Sequence, residues 1–584
     1  MRNWLPILLS LAAIATPAEA RRRAAPVQVN ILAFNDFHGA LEPQRISIPA
    51  TAPGGTAIRV PAGGAAYFAS AVRRLRAQNP NSVLVSAGDL ISASPLVSAE
   101  FLDEPTILAM NMIGLDYSAV GNHEFDRGRQ ELLRMQNGGC ARYTNRQPCR
   151  LDRFPGARFR ILAANVRTET GQTLFPGTAM RSFGTGPRRV RVGFIGLTLR
   201  GTSTLVTPGG ISGLTFEDEA DTINAAARDL RARGADAIVV LIHQGLDRSV
   251  DFSDHACARV PGDLLPILAR LDRSVDVVVS GHTHHSYICD YGRTDPSRPF
   301  LVTSAEKYGA IVTHIRLSID PARHRVTAKS ADNVIVQSEP YQDRGSTVPL
   351  TTLLPVFPRE PAVQALVARY AAAAAPIIAR PIGHLAGPAM KTPHAGESSA
   401  GDLIADAFLA ATNAPDTGNA QLAFTNQSSV RVDLVPAADG TVTFGQLFAV
   451  QPFGNTLVVV TLTGRQLHAV LEQQYASGPN SVGRPQRLRA SGGLTYRSEP
   501  SQPEGQRIQD LRLNGTPIAD DASYRVAINS FLASGGDNFS IFTQGTNPTG
   551  GMQDVDALER YIAAMGANPP PLPLDRLRAS PTTD

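Results

Sequence analysis

Gly121-Asn122-His123-Glu124-Phe125-Asp126 decides the reading of this chain, because it shares its setting with four further clusters. Asp36-Phe37-His38 and Gly88-Asp89 precede it; His243-Gln244-Gly245 and Gly281-His282-Thr283-His284-His285 follow it. Each comes just after a short apolar run: Val27–Phe34, Ser82–Ala87, Tyr117–Val120, Ala237–Ile242 and Val275–Ser280. Runs of that length, rich in Val and Ile and closed by Gly or Asp, read as buried strands. Open α/β sheets build their sites past strand ends. Five strand tips carrying oxygen and imidazole donors therefore point to a metalloenzyme.

The donors suit that chemistry. Asp36 and His38 are two apart, and so are His282 and His284. In extended chain, such pairs project to one side and can grip one ion. Asp89 offers two carboxylate oxygens and is the natural bridge between two ions; Asn122 adds an amide oxygen, and His243 a further imidazole. Mixed O/N donors without sulfur suit two divalent ions of Mn, Zn, Fe or Co, without choosing among them. Such a pair, about 3.5–4 Å apart, activates water and stabilises both oxygens of an in-line phosphoryl displacement. His123, next to ligand Asn122, is left for catalysis. Asp126 lies on its face if the turn is helical and would orient it. Alone, a D-x-H or a GNH is more often a turn or a capped helix; their joint occurrence carries the reading.

At 584 residues the chain is too long for one core and should hold two or more domains. A formal charge of +4 over that length, with no basic stripe, argues against a nucleic-acid polymer as partner. Residues 1–20 read as a signal peptide: Arg2, the apolar run Leu5–Ala15, then Ala18-Glu19-Ala20 as a small-x-small cleavage site. No later apolar stretch of membrane length is expected, and the tail over 571–584 is polar. The mature chain is expected to be soluble and exported, periplasmic or secreted. The four cysteines fit an oxidising compartment, with Cys140–Cys149 and Cys257–Cys289 favoured because each pair closes a local loop.

Strand runs and helical patterns alternate over 27–339, as an α/β domain requires, with covering helices expected at Ala65–Ala77 and Glu217–Arg233. An extended Pro-rich linker and an Ala-rich helix over 362–375, stopped or kinked by Pro376, fill 340–376. An α+β domain over 377–570 follows, with a helix at Ser399–Thr412 and strands at Gln421–Thr425, Thr456–Leu462 and Tyr524–Ile528. It carries no further metal cluster, so its expected role is binding.

The five blocks, in this order, resemble the calcineurin-like metallophosphoesterases. Asn35-Asp36-Phe37-His38-Gly39 together with Gly121–Asp126 looks like the secreted 5'-nucleotidase family in particular. The resemblance implies a four-layer α/β sandwich bearing the metals and an α+β domain that binds the nucleotide. It places one ion on Asp36, His38, Asp89 and His284, and the other on Asp89, Asn122, His243 and His282. It makes His123 and Asp126 the catalytic pair. It also implies a base held between Phe453 and Phe531, with Asn455 and Asp537 contacting base and sugar, and Arg431 on the substrate. Stacking of that kind is worth about 1–3 kcal/mol and tolerates every base. Where the family has a glycine-rich loop, this chain reads Asn426–Arg431, keeping the arginine but not the glycines; where further arginines are common, it has Lys391, Thr392, Pro393 and His394. Hydrolysis of nucleoside monophosphates is the first expectation. A 2',3'-cyclic-nucleotide phosphodiesterase, a UDP-sugar hydrolase or a sulfur-linked hydrolase on the same scaffold are the enzymatic alternatives, and a non-catalytic secreted nucleotide binder is the alternative of another class.

Overall fold

Two six-stranded sheets face each other across a core made by strict alternation. In Val27–Phe34, Val29, Ile31 and Ala33 point between the sheets, while Leu32 and Phe34 point outward. In Ala237–His243 of the other sheet, Val239 and Leu241 point inward, while Ile238, Val240 and Ile242 point outward. Both faces of each central strand are buried, which is why these runs read as continuously apolar. The computed structural model describes residues 25–51, 55–144, 146–206, 208–246, 252, 255, 261–343, 346–392 and 396–578. The expected signal peptide, the last residues of the tail, Cys257, Pro393 and His394 lie outside them.

The first sheet runs Arg325–Ile335, Ile311–Asp320, Val27–Phe34, Ser82–Ser86, Tyr117–Ala119, Arg160–Leu162. The second runs Ser286–Asp290, Leu301–Ala305, Val277–Ser280, Ala237–His243, Val190–Thr198, Thr178–Phe183. Val27–Phe34, Ser82–Ser86 and Tyr117–Ala119 are parallel, as are Val190–Thr198, Ala237–His243 and Val277–Ser280. Helix Ala65–Ala77 covers the outer face of the first sheet and Glu219–Ala232 that of the second. This is the expected four-layer sandwich. Since the parallel strands of both sheets end at one edge, the donor-bearing loops are delivered together.

The Pro-rich stretch contains a small hairpin, Tyr341–Asp343 with Ser346–Val348, so it is not extended throughout. For the stretch beyond it, buried Gln337, which precedes the hairpin, substitutes for the backbone partners that prolines cannot provide. Its Nε2 donates to the carbonyls of Thr351, Leu354 and Pro355, each at 3.0 Å, and its Oε1 accepts from Thr351 N–H. Helix Pro361–Ile378 follows, capped by the Glu360 carboxylate, which accepts from Val363 N–H. Pro376 sits in its last turn and does not end it. With mean hydropathy 1.3 this helix is long and apolar enough to cross a membrane, contrary to the expectation of no further stretch of that length. In this fold Val363, Val367, Tyr370 and Ala374 are buried against the outer layer, with Tyr370 edge-on to Phe101 at 4.9 Å.

The second half builds a five-stranded sheet in the order Leu488–Ala490, Leu422–Asn426, Ser523–Asn529, Thr456–Thr463, Thr546–Gln553. Helices Ser399–Thr412 and Asp554–Ala564 cover one face through Ala423, Val459 and Ala527; Gly464–Glu472 covers the other through Phe424, Val460 and Ile528. Leu422–Asn426 and Ser523–Asn529 are parallel and end where the antiparallel Thr456–Thr463 begins. Asn426, Asn455 and Phe531 therefore share one edge of this sheet. Among the cysteines, Cys140 and Cys149 are joined as expected, with Cα atoms 5.6 Å apart.

Leu241→Ala, which empties a site between the sheets, should cost about 2–5 kcal/mol of unfolding free energy, read from urea denaturation of the first domain's signal.

Candidate metal centre and substrate cleft

Five donor residues stand in the left-handed region, at φ 50° for Asp36, 46° for His38, 50° for Asp89, 75° for His282 and 58° for His284. Non-glycine residues there are uncommon, and Asp and His are among the few that tolerate it. Such conformations persist only where surroundings over-determine them. Here the loops brace one another: Asp36 N–H donates to Gly88 O and His38 N–H to Asp89 O, both at 3.0 Å, and Tyr308 N–H donates to Asp36 O at 2.8 Å. Glycines provide the close approach. A Cβ on Gly121 would lie 2.1 Å from Asp89 Oδ1, and one on Gly88 would lie 2.6 Å from the Gly121 nitrogen.

The side chains converge in two groups, Asp36, His38 and His284, and Asp89, His243 and His282, the ligand atoms within each lying within 4.8 Å of one another. Asp89 stands between them, its Oδ2 2.9 Å from His243 Nε2 and 3.7 Å from His38 Nε2. Asn122 Oδ1 lies 3.1 Å from His282 Nδ1. Carbonyls set the ring orientations: His38 Nδ1 meets Ser92 O at 3.0 Å and His243 Nδ1 meets Ala87 O at 2.8 Å. Protonation at Nδ1 leaves the His38 Nε2 lone pair aimed inward, and the same holds for His243 once an ion displaces its second proton.

These groups fit cations. His38 Nε2 faces His284 Nε2 at 3.1 Å, and buried His243 Nε2 makes no hydrogen bond despite its nearness to Asp89. Burial pushes His38 and His282 down to about 3 and lowers His284 as well, so these imidazoles are neutral and free to ligate. Burial also raises Asp36 to about 6. Burial would lower His243 too, but the carboxylates of Asp89, Asp36 and Glu124 outweigh it and lift it to about 9. Acceptors packed this closely are relieved by a shared cation.

His123 is built differently. Its Nδ1 lies 2.7 Å from Asp126 Oδ2 across the turn His123–Phe125, while its backbone N–H donates to Asp89 Oδ1 at 3.0 Å. Burial lowers its pKa, yet Asp126 and Asp89 together hold it above the ordinary value. Its ring lies 5.2 Å from that of His38 on one side and 5.9 Å from Phe453 on the other, stacked within 16°.

Phe453 belongs to the second domain, so one cleft joins the two. It has a volume of about 830 Å³ and is lined by Asp89, Asn122, His123, His282 and His284 from the first domain. Arg431, Phe453, Asn455, Phe531 and Asp537 line it from the second. The Arg431 guanidinium lies 5.7 Å from the Phe453 ring centre. Gly536 lets Phe531 seat, since a Cβ there would be 2.5 Å from that ring. Buried Asp537 accepts from Asn426 Nδ2 at 2.8 Å and from Ser428, so part of its carboxylate is already committed.

Glu124 is the residue that reading the sequence left without a role, although it sits inside the deciding stretch. Its buried carboxylate accepts the N–H groups of Asp89 at 2.9 Å, Leu90 at 2.8 Å and Gly121, pinning two donor loops to each other. Asn35 acts similarly, donating to Asp36 Oδ2 at 2.6 Å and accepting from Ala305 N–H at 2.7 Å.

Residues 29–286 match the family described as calcineurin-like phosphoesterase, so sandwich and donor cluster define a class of metal-dependent phosphoric ester hydrolases. Residues 381–544 match the 5'-nucleotidase C-terminal domain, and the chain belongs to the 5'-nucleotidase family of that class. A Bacillus subtilis protein named Endonuclease YhcR is 29% identical over 552 residues, which are 93% of this chain; the chain spans 40% of that relative's length. A probable 5'-nucleotidase of Treponema pallidum is 24% identical over 602 residues, covering 93% of each. The crystal structure of a 5'-nucleotidase precursor from Thermus thermophilus shares the fold with TM-score 0.71 and 24% identity, over 94% of this chain and 99% of that one.

Glu124→Ala should lower metal content well below that of the wild type although Glu124 touches no ion, measured by plasma mass spectrometry after gel filtration. Wild-type content in this variant would show that the loops hold themselves.

Proposed function

We propose that this chain is an exported phosphohydrolase that uses two divalent ions to release phosphate from nucleotides. The observation that carries the reading is the shared cleft: a donor cluster for cations and an aromatic platform for a base open onto one space of about 830 Å³. Asp36, His38, Asp89 and His284 would hold one ion, and Asp89, Asn122, His243 and His282 the other. The ions, when bound, supply an activated water and stabilise charge on the phosphoryl oxygens.

The chain's own groups do the rest. His123, kept in orientation by Asp126, stands at the open side of the cluster and donates to the phosphoryl or leaving oxygen. The Asp126 carboxylate, 2.7 Å from His123 Nδ1, favours the protonated form that this role needs. Phe453 and Phe531 stack the base, and Arg431 neutralises charge beside them. Asn455 and Asp537 contact base and sugar. Export is supported by the signal-type pattern of residues 1–20.

His123→Ala should reduce kcat on adenosine monophosphate by about 10²–10⁴-fold while metal content stays at the wild-type value. Loss of metal instead would make His123 a ligand. Replacing Phe453 and Phe531 together by Ala should reduce kcat/KM on adenosine monophosphate far more than on p-nitrophenyl phosphate; equal losses would remove the stacking role. Wild-type turnover of bis-p-nitrophenyl phosphate without any of adenosine monophosphate would replace the nucleotidase reading by a diesterase.

A further inference from the structure

Asn455 enters the cleft just before strand Thr456–Thr463, whose first residue, Thr456, pairs with Gln553, the last residue of the antiparallel Thr546–Gln553. The next residue, Asp554, is fully buried and grips Asn455 twice. Its N–H donates to Asn455 O at 2.8 Å, and its Oδ2 accepts from Asn455 Nδ2 at 3.1 Å. The other carboxylate oxygen accepts Val555 N–H at 2.7 Å. An ionised carboxylate only accepts, so the Asn455 amide can meet it only through its NH₂ group. The carbonyl oxygen is then the end left for the cleft, two residues from the platform Phe453.

We propose that Asp554 is a positioning residue that locks the Asn455 amide with its oxygen toward the ligand, making Asn455 a selector for substrates that present an N–H or O–H donor beside Phe453. The inference rests on the nucleotide reading above and adds to it a direction of hydrogen bonding. A donor on the ligand completes the Asn455 oxygen; an acceptor at the same place meets it lone pair to lone pair, and the locked amide cannot turn over to accommodate it. Two parts of adenosine monophosphate offer such a donor, the exocyclic amine of the base and the ribose hydroxyls.

The test compares kcat/KM for adenosine monophosphate with that for purine riboside 5'-phosphate, which lacks the amine, and for the 2'-deoxy and 3'-deoxy nucleotides. Assays run at pH 8.5, above the value of about 7 to which burial raises Asp554, so that the carboxylate only accepts. The wild type should prefer adenosine monophosphate about fivefold over the analogue lacking the donor, as expected of one hydrogen bond. In Asp554→Asn the new amide can either donate or accept, Asn455 is free to turn, and that preference should fall toward parity. The arm that moves identifies the amine or the hydroxyl as the source. Asn455→Ala, at a half-buried position, should flatten the same ratio even if Asp554→Asn folds poorly. No wild-type preference in any arm, or ratios unchanged in both variants, would overturn the assignment. Calorimetric binding of adenosine, purine riboside and the deoxynucleosides reads the contact without turnover, so a protein that hydrolyses no nucleotide is scored separately from one that lacks this selector.

Discussion

Everything at the site turns on Asp89, whose carboxylate has to meet partners from both sheets at once. His243 comes from the second sheet, His38 from the first, and the His123 backbone N–H from the loop beside them. That meeting survives only if the sheets keep their separation, which the inward-facing Val29, Ile31, Val83, Val85, Val239, Leu241, Val277 and Val279 enforce. The apolar alternation along these strands and the position of a carboxylate oxygen are thus one problem. Close-packed interiors transmit displacement instead of absorbing it, so the core is part of the metal chemistry.

The loops that carry the donors run against backbone preference, and polar groups hold them there. Left-handed Asp36, His38, Asp89, His282 and His284 are fixed by hydrogen bonds between loops and by Glu124, which draws Asp89, Leu90 and Gly121 onto one carboxylate. The cost of burying an extra carboxylate is visible in Glu124 itself, raised to about 7 by burial and by the nearby Asp89. Each donor is therefore aimed before any ligand arrives, which lowers the ordering needed on binding.

Much of this was legible in the residues because it repeats on a short scale. Apolar runs ended by Gly or Asp marked the strands within a residue or two, and i, i+2 spacing paired Asp36 with His38. His282 and His284, also two apart, instead fall in different groups, because their left-handed backbone is not the extended chain that would project both to one side. The helix Ser399–Thr412 was readable to the residue. What escaped were contacts that link distant segments: Glu124 serving Asp89 thirty-five positions away, Gln337 stitching the proline stretch, and Asp554 holding Asn455 across ninety-nine positions. No periodicity announces a side chain that bonds a remote backbone. The hairpin Tyr341–Asp343 with Ser346–Val348 was hidden for another reason, since the prolines on either side suggested uninterrupted extended chain.

The Cys140–Cys149 loop has a reach that its position at the surface conceals. Within it, Arg146 donates to Ala99 O of the first domain and lays its guanidinium 5.1 Å from the Phe448 ring of the second. A covalent ring thus holds the arm that bridges the halves. Where thiols stay reduced, that arm belongs to an unconstrained segment and the two halves lose a tether. The redox state of the surroundings then becomes a condition on how firmly the halves are joined.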